Sequence, residues 1–231
     1  MIADSRPYHH GDLRRALIDA GLDVTRQGGP DALALREVTR RLGVSANAAY
    51  RHFADREALL DAVAAEIFER VADRMAASMP THNLSRADAA LQQLRAVGLG
   101  YIGFARREPG WFQVVFFGGR AGEALATPPP APYRALTDAL DALVVAGLLS
   151  VDRRGSAPWV CWSAVHGFAE LVIHGPLRTV AHQEVDVLAE RCVDAVIAGV
   201  LAPVASMRQS VPATLDVQRS ARAPAMPPSE K

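Results

Sequence analysis

Between Leu35 and Phe53 the sequence reads Leu-Arg-Glu-Val-Thr-Arg-Arg-Leu-Gly-Val-Ser-Ala-Asn-Ala-Ala-Tyr-Arg-His-Phe, and its polar side chains are of the kinds that meet nucleic acid. Asn47 can pair bidentately with adenine, and Ala46 and Ala48 can touch a thymine methyl. Tyr50, Arg51 and His52 can reach bases or backbone. Arg36 and Arg40 lie one helical turn apart, on a face that can meet a phosphate strand. Arg14 adds a cation upstream. Arg56 follows the candidate helix cap Asp55, where backbone N–H groups also attract an anion.

The chain has 231 residues, with 25 Lys and Arg against 25 Asp and Glu, so its formal net charge is zero. The whole molecule therefore does not advertise a polyanionic partner, and a nucleic-acid reading rests on a local cluster. Lys231 is the only lysine, and Arg14, Arg15, Arg36, Arg40, Arg41, Arg51 and Arg56 crowd the first quarter. A GC-rich genome accounts for arginine over lysine. It does not account for the clustering.

The elements that must position these residues are helical. Apolar residues recur at helical spacing through Leu13, Leu17, Ala20 and Val24, then Leu35, Val38 and Leu42, then Leu59, Leu60, Val63, Ile67 and Val71. Gly28-Gly29-Pro30, Gly43 and Pro80 are chemical stop signals after these runs. Gly43 permits a left-handed turn, Val44 plugs the corner, and Ser45 is a good N-cap for a short helix over Ala46 to His52. This is the pattern of a helix-turn-helix; an ordinary helical hairpin inside a bundle has the same local signals.

Further helices are expected from about Ala87 to Arg107, through Trp111 to Phe117, and over Tyr133–Leu149, Trp159–His174 and Glu184–Leu201. The proline-rich stretch Thr127–Pro132 reads as a loop. No segment alternates as a strand does, so the fold is expected to be all-α, with an N-terminal three-helix DNA-binding domain and a C-terminal helical bundle. The boundaries are an arm at 1–9, a helix-turn-helix domain at 10–56, a helical domain at 57–204 and a disordered tail at 205–231.

Tyr8-His-His-Gly-Asp-Leu-Arg, the glycine turn, Gly43-Val-Ser, Tyr50-Arg-His-Phe53 and Asp55-Arg-Glu-Ala-Leu59 together resemble the TetR family of bacterial transcriptional regulators. The resemblance covers about residues 8 to 63. Two positions depart from the common pattern. The second helix starts at Ala34-Leu35, where a Thr or Ser cap is usual, and Arg56 stands where Lys is usual. The first weakens the cap and puts a phosphate contact in doubt; the second keeps the charge and changes its geometry. The resemblance implies a homodimer that binds a palindromic double-stranded DNA operator and, as a repressor, is released by an effector.

A weaker resemblance, Trp162-Ser-Ala-Val-His166-Gly167 continuing to Leu171 and Gly175, looks like the Trp-His-Gly pattern of one TetR subgroup. In that subgroup the C-terminal helices enclose an effector pocket and form the dimer interface. The residues themselves show an aromatic group, Trp111, Phe112, Phe116, Phe117, Trp162 and Phe168, in a chain with few aromatics. Trp111, Phe112, Phe116, Trp162 and His166 are the candidate effector residues, lining a cavity for a small apolar or amphipathic molecule; a plain core is the alternative. Val185, Leu188, Cys192, Val196 and Val200 make an apolar stripe expected at the dimer interface, although a core-facing helix has the same pattern.

No stretch is long and apolar enough to span a bilayer, and no signal-peptide run opens the chain, so a cytoplasmic protein without a membrane partner is expected. Cys161 and Cys192 are isolated, with neither metal-ligand nor redox spacing, and neither metal nor cofactor is expected. No nucleophile motif, paired carboxylates, phosphate loop or dinucleotide-binding glycine pattern supports an enzyme. The competing function is an architectural or partner-controlled DNA-binding protein with no small ligand.

Overall fold

A computed structural model describes residues 12–77, 84–118 and 129–202. The expectations for the arm at 1–9, the tail at 205–231 and the Tyr8–Gly11 part of the resemblance lie outside these residues. Among the described residues there is no strand, and the fold is all-α as the periodicity predicts.

Helix α1 (Leu13–Gly28) starts where the Asp12 carboxylate accepts the Arg15 N–H at 3.0 Å, and it stops at Gly29, whose φ is 64°. After a 3-10 turn at Pro30–Ala32 come α2 (Leu35–Leu42), α3 (Ala46–Tyr50) and α4 (Arg56–Ala77). The Asp55 carboxylate accepts the Ala58 N–H at 2.7 Å and so caps α4. The body continues with α5 (Arg86–Arg107), α6 (Pro109–Phe117), α7 (Ala131–Val145), α8 (Val151–Arg154), α9 (Ala157–Ile173) and α10 (His182–Leu201).

Leu59, Leu60, Val63, Val71 and Met75 of α4 are all buried, with Val63 beside Gly21 of α1 and Met75 beside Gly100 of α5. It packs on α1, α5, α6 and α7, while α5 packs in turn on α7, α9 and α10. One continuous apolar core results, from Leu17 in α1 to Val200 in α10, with a smaller cluster of Ile102, Phe168, Val185, Ala189 and Val193 beside it. Each fully buried Leu in it contributes about 1.5–3 kcal/mol.

Several boundaries differ from the sequence reading. Helix α3 ends at Tyr50, and Arg51 and His52 form a turn in which the His52 and Phe53 N–H groups both bond the Ala49 carbonyl, at 2.9 and 3.0 Å. Helix α7 ends at Val145, because Gly147 takes a φ of 74° and turns the chain into the short helix α8, which the reading missed. Pro132 sits in the first turn of α7, where its missing N–H costs nothing, so the expected loop ends two residues early. Helices α9 and α10 each begin two residues before their predicted starts.

Candidate nucleic-acid face and apolar cavity

The turn between α2 and α3 is built by backbone geometry. Gly43 adopts φ 66° and ψ 26° and donates its N–H to the Arg40 carbonyl, and the Val44 N–H reaches the Thr39 carbonyl at 3.1 Å, which closes α2. No neighbour lies near the position of a Cβ on Gly43, so the left-handed backbone alone demands glycine there. The Ser45 hydroxyl then accepts the Ala48 N–H at 3.3 Å and starts α3. Helix α2 has no side-chain cap at Ala34, as its sequence implies.

Helix α3 is pinned by Ala49, which is fully buried, and it turns the rest of its surface outward. Ser45, Asn47 and Tyr50 are exposed, and Ala46 and Ala48 are half-buried on the flanks. Arg51 and His52 continue this exposed face in the turn.

The flanking arginines have separate roles. Arg36 and Arg51 are exposed and form no ion pair among the described residues. Arg40 donates to both oxygens of Glu37 at 2.8 Å, and Arg41 adds a third bond of 2.8 Å to the same carboxylate. These two guanidinium groups pull the Glu37 carboxyl down to about 2. Arg14 lies with its guanidinium 5.3 Å from the centre of the Phe53 ring, which keeps its charge beside the end of α3. Arg56 departs from the expectation of a phosphate contact: its Nε donates to the Leu33 carbonyl at 2.7 Å and its Nη2 to the Pro30 carbonyl, which ties α4 to the turn after α1.

The aromatic residues of the expected cluster do not all come together. Phe112 and Phe116 of α6 and Trp162 and His166 of α9 gather around Tyr101 of α5, with ring centres 4.7–6.4 Å apart. The Tyr101 hydroxyl bonds His166 Nδ1 at 2.9 Å. Burial holds the His166 imidazole below its ordinary value, against a smaller opposing effect of Glu170, and burial pushes the Tyr101 phenol well up. Both rings are therefore neutral at neutral pH. Trp111 does not join them. It lies under Arg26 and Arg70, 5.3 and 5.1 Å from its ring centre, and donates its indole N–H to the Leu22 carbonyl at 2.9 Å. Phe168 packs in the smaller cluster.

Beside Tyr101 and Trp162 lies a cavity where α4, α5, α7, α9 and α10 meet. Apart from the Tyr101 hydroxyl, the Cys161 thiol and the indole of Trp162 its walls are apolar: Met75, Leu94, Val97, Gly98, Pro132, Leu136, Val165, Val193, Val196 and Ile197. Burial raises the Cys161 thiol to about 11, so the wall carries no charge at neutral pH. Sequence reasoning found Trp162 and His166 and missed Tyr101, although Leu94, Val97 and Tyr101 recur at helical spacing and point to one buried face.

The expected interface stripe on α10 is corrected. Val185 and Val200 belong to the chain's own core, Val196 lines the cavity, and Leu188 and Cys192 are half-buried at the core's margin. The helix turns Val187 and Gly199 to the surface instead, as α9 does Val160, Gly167 and Leu171.

Comparison with known proteins follows this division. Residues 17–63 match the family described as bacterial regulatory proteins, tetR family, and residues 94–196 match the tetracyclin repressor-like C-terminal domain. The tetracycline repressor protein class A of transposon 1721 from Escherichia coli is 40% identical over 72 residues, which are 31% of this chain and 30% of that one. The match thus spans under a third of that relative's length. Among solved structures, a Rhodococcus sp. RHA1 protein of unknown function has a TM-score of 0.68 and 26% identity, with 85% of this chain and 100% of the other covered. RolR, solved with resorcinol, has a TM-score of 0.61 and 18% identity, covering 85% and 91%.

Proposed function

We propose that this chain, which belongs to the TetR family of bacterial regulatory proteins, is a sequence-specific DNA-binding transcriptional regulator whose α3 enters the major groove. The observation that carries the reading is the outward face of α3: a base-reading Asn47 between two small alanines, with Tyr50, Arg51 and His52 beyond it, on a helix anchored by one buried alanine. Arg14 and Arg36 flank it as phosphate contacts, and Arg40 joins them by exchanging its Glu37 partner for a phosphate.

A helix of five residues reads only a few base pairs, so useful specificity requires two heads on one frame. The working form is a homodimer on a palindromic operator, with half-sites about one helical turn apart or a multiple of it. Its interface runs over the exposed strip of α9, Val160, Gly167 and Leu171, with Val187 of α10, where the small Gly167 allows close helix approach. As an effector-released repressor, it loses operator affinity when the cavity fills. Helix α4 supplies the physical route, since it packs on α1 of the DNA-binding domain and lines the cavity at Met75.

Selection of bound sequences from a random duplex pool tests the reading. An inverted repeat is the expected product, and a pool that stays random overturns it. On that operator Asn47→Ala should cost on the order of 1–3 kcal/mol and relax preference at one position in each half-site. Equal loss on operator and random DNA would remove Asn47 from base reading.

A further inference from the structure

We infer that the cavity between α4, α5, α7, α9 and α10 takes a neutral, compact, apolar molecule about the size of one ring, and that it rejects anions and cations of the same size. The inference rests on the proposed regulator and names the class of its effector.

The chemistry of the wall decides the charge. Of the thirteen lining residues none is an acid, a base or an amide, and the polar groups, the Tyr101 hydroxyl, the Cys161 thiol and the Trp162 indole N–H, are all uncharged at neutral pH. The hydroxyl is already engaged with His166 Nδ1. A charged ligand would lose its hydration with no opposite charge to replace it, whereas an apolar ligand loses nothing and gains contacts. Glu170 and the arginines of the body lie outside the wall, and Glu170 is turned to His174, whose Nδ1 it meets at 2.9 Å.

Size follows from the space and from what borders it. The free volume is ≈ 30 Å³, room for about two water molecules, and an apolar wall of this kind gives water no partners. A ring must widen it. Met75, Leu94 and Leu136 can change rotamer and turn away, while the β-branched Val193 and Ile197 are stiff, and Val193 lies so near Gly98 that even a Cβ there would be tight. Two fused rings would need the helices themselves to separate.

Three probes that share one ring test this: toluene, benzoate and benzylamine, the last a cation at pH 7. Each is titrated against the full chain while its thermal unfolding midpoint is followed. Toluene should raise the midpoint with increasing concentration, and benzoate and benzylamine should not. Val196→Phe, which fills the space from α10, should weaken toluene binding at least about tenfold while circular dichroism reports an intact helical fold. Should that variant not fold, Leu94→Ala supplies the opposite arm: the enlarged cavity should bind toluene more tightly and admit naphthalene. No shift with toluene, or an equal shift with either charged probe, overturns the inference. Operator binding is measured separately without any probe, so a chain that binds toluene and no DNA overturns the proposed function and leaves the ligand class standing.

Discussion

Glu108 accepts two hydrogen bonds from Arg26, at 2.6 Å from Nε and 2.7 Å from Nη2, although its side chain is only 3% exposed and that of Arg26 is 56% exposed. Arg74 of α4 approaches the same carboxylate at 3.5 Å. A buried carboxylate is tolerable when it is paired in this forked geometry, and the pairing fastens the end of α1 to the start of α6.

Arg26→Gln should therefore lower the midpoint of urea unfolding, mostly because it leaves the buried carboxylate with only the longer Arg74 contact. Glu108→Gln strands no buried charge and should cost less. Equal losses would mean that the bond, and not the buried charge, sets the cost.

Glu37 holds Arg40 and Arg41, and on the proposed operator it would compete with phosphate for them. Exposed ion pairs of this type are weak, so Glu37→Gln should tighten operator binding only about twofold to fivefold. The same variant should steepen the fall of affinity with salt, because two released cations reach the backbone. The depressed Glu37 carboxyl keeps this pairing intact above the ordinary value of 4.5 and loses it as pH falls through about 2. A carboxyl resonance of Glu37 that titrates at 4.5 would contradict the geometry.

His166 carries a pH dependence of the opposite charge type. Its imidazole is held neutral by burial, so the folded state binds the proton less well than the unfolded chain does. Stability should be fully present above the ordinary value of 6.5 and should decline as pH falls below it. His166→Gln should flatten that decline in urea titrations at pH 5 and 7. An unchanged pH profile would show that His166 titrates freely.

The two faces of α10 predict opposite phenotypes. Val187→Glu on the outer strip should leave each chain folded and shift sedimentation from dimer to monomer. Val196→Glu faces the cavity and should destabilise the chain itself, by several kcal/mol, because the carboxylate has no partner there. A dimer that survives Val187→Glu moves the interface away from this strip.

Most of the N-terminal helices were legible because their boundaries are written in local chemistry: Gly43 for the turn, Ser45 and Asp55 for caps, and a regular apolar period between them; the uncapped start of α2 and the end of α3 carry no such mark. The fates of Arg40 and Arg56 were not, because their partners are chosen by packing. Nothing in the sequence near Arg56 says that the Leu33 carbonyl will be within 2.7 Å of it. Trp111 and Phe112 show the same limit. Apart from Gln113, helix α6 is apolar all round, so its period does not say which ring turns to α1 and which to α5. The stripe on α10 was visible as a stripe, but an apolar face reads the same whether it meets its own core or a second chain.

The shared core has a consequence for anyone who would move the reading head to another body. Cutting at the start of α4 would bare Leu59, Leu60 and Val63 on one side, and it would strip the Trp111 indole from the Leu22 carbonyl on the other. Gly110 tightens the join further, because a Cβ there would strike the carbonyl oxygens of Thr25 and Arg26. The recognition helices are thus not a detachable cassette. A working chimaera must carry the seam with it: all of α4, and an α6 that keeps a small residue at position 110, a tryptophan at 111 and the acid at 108.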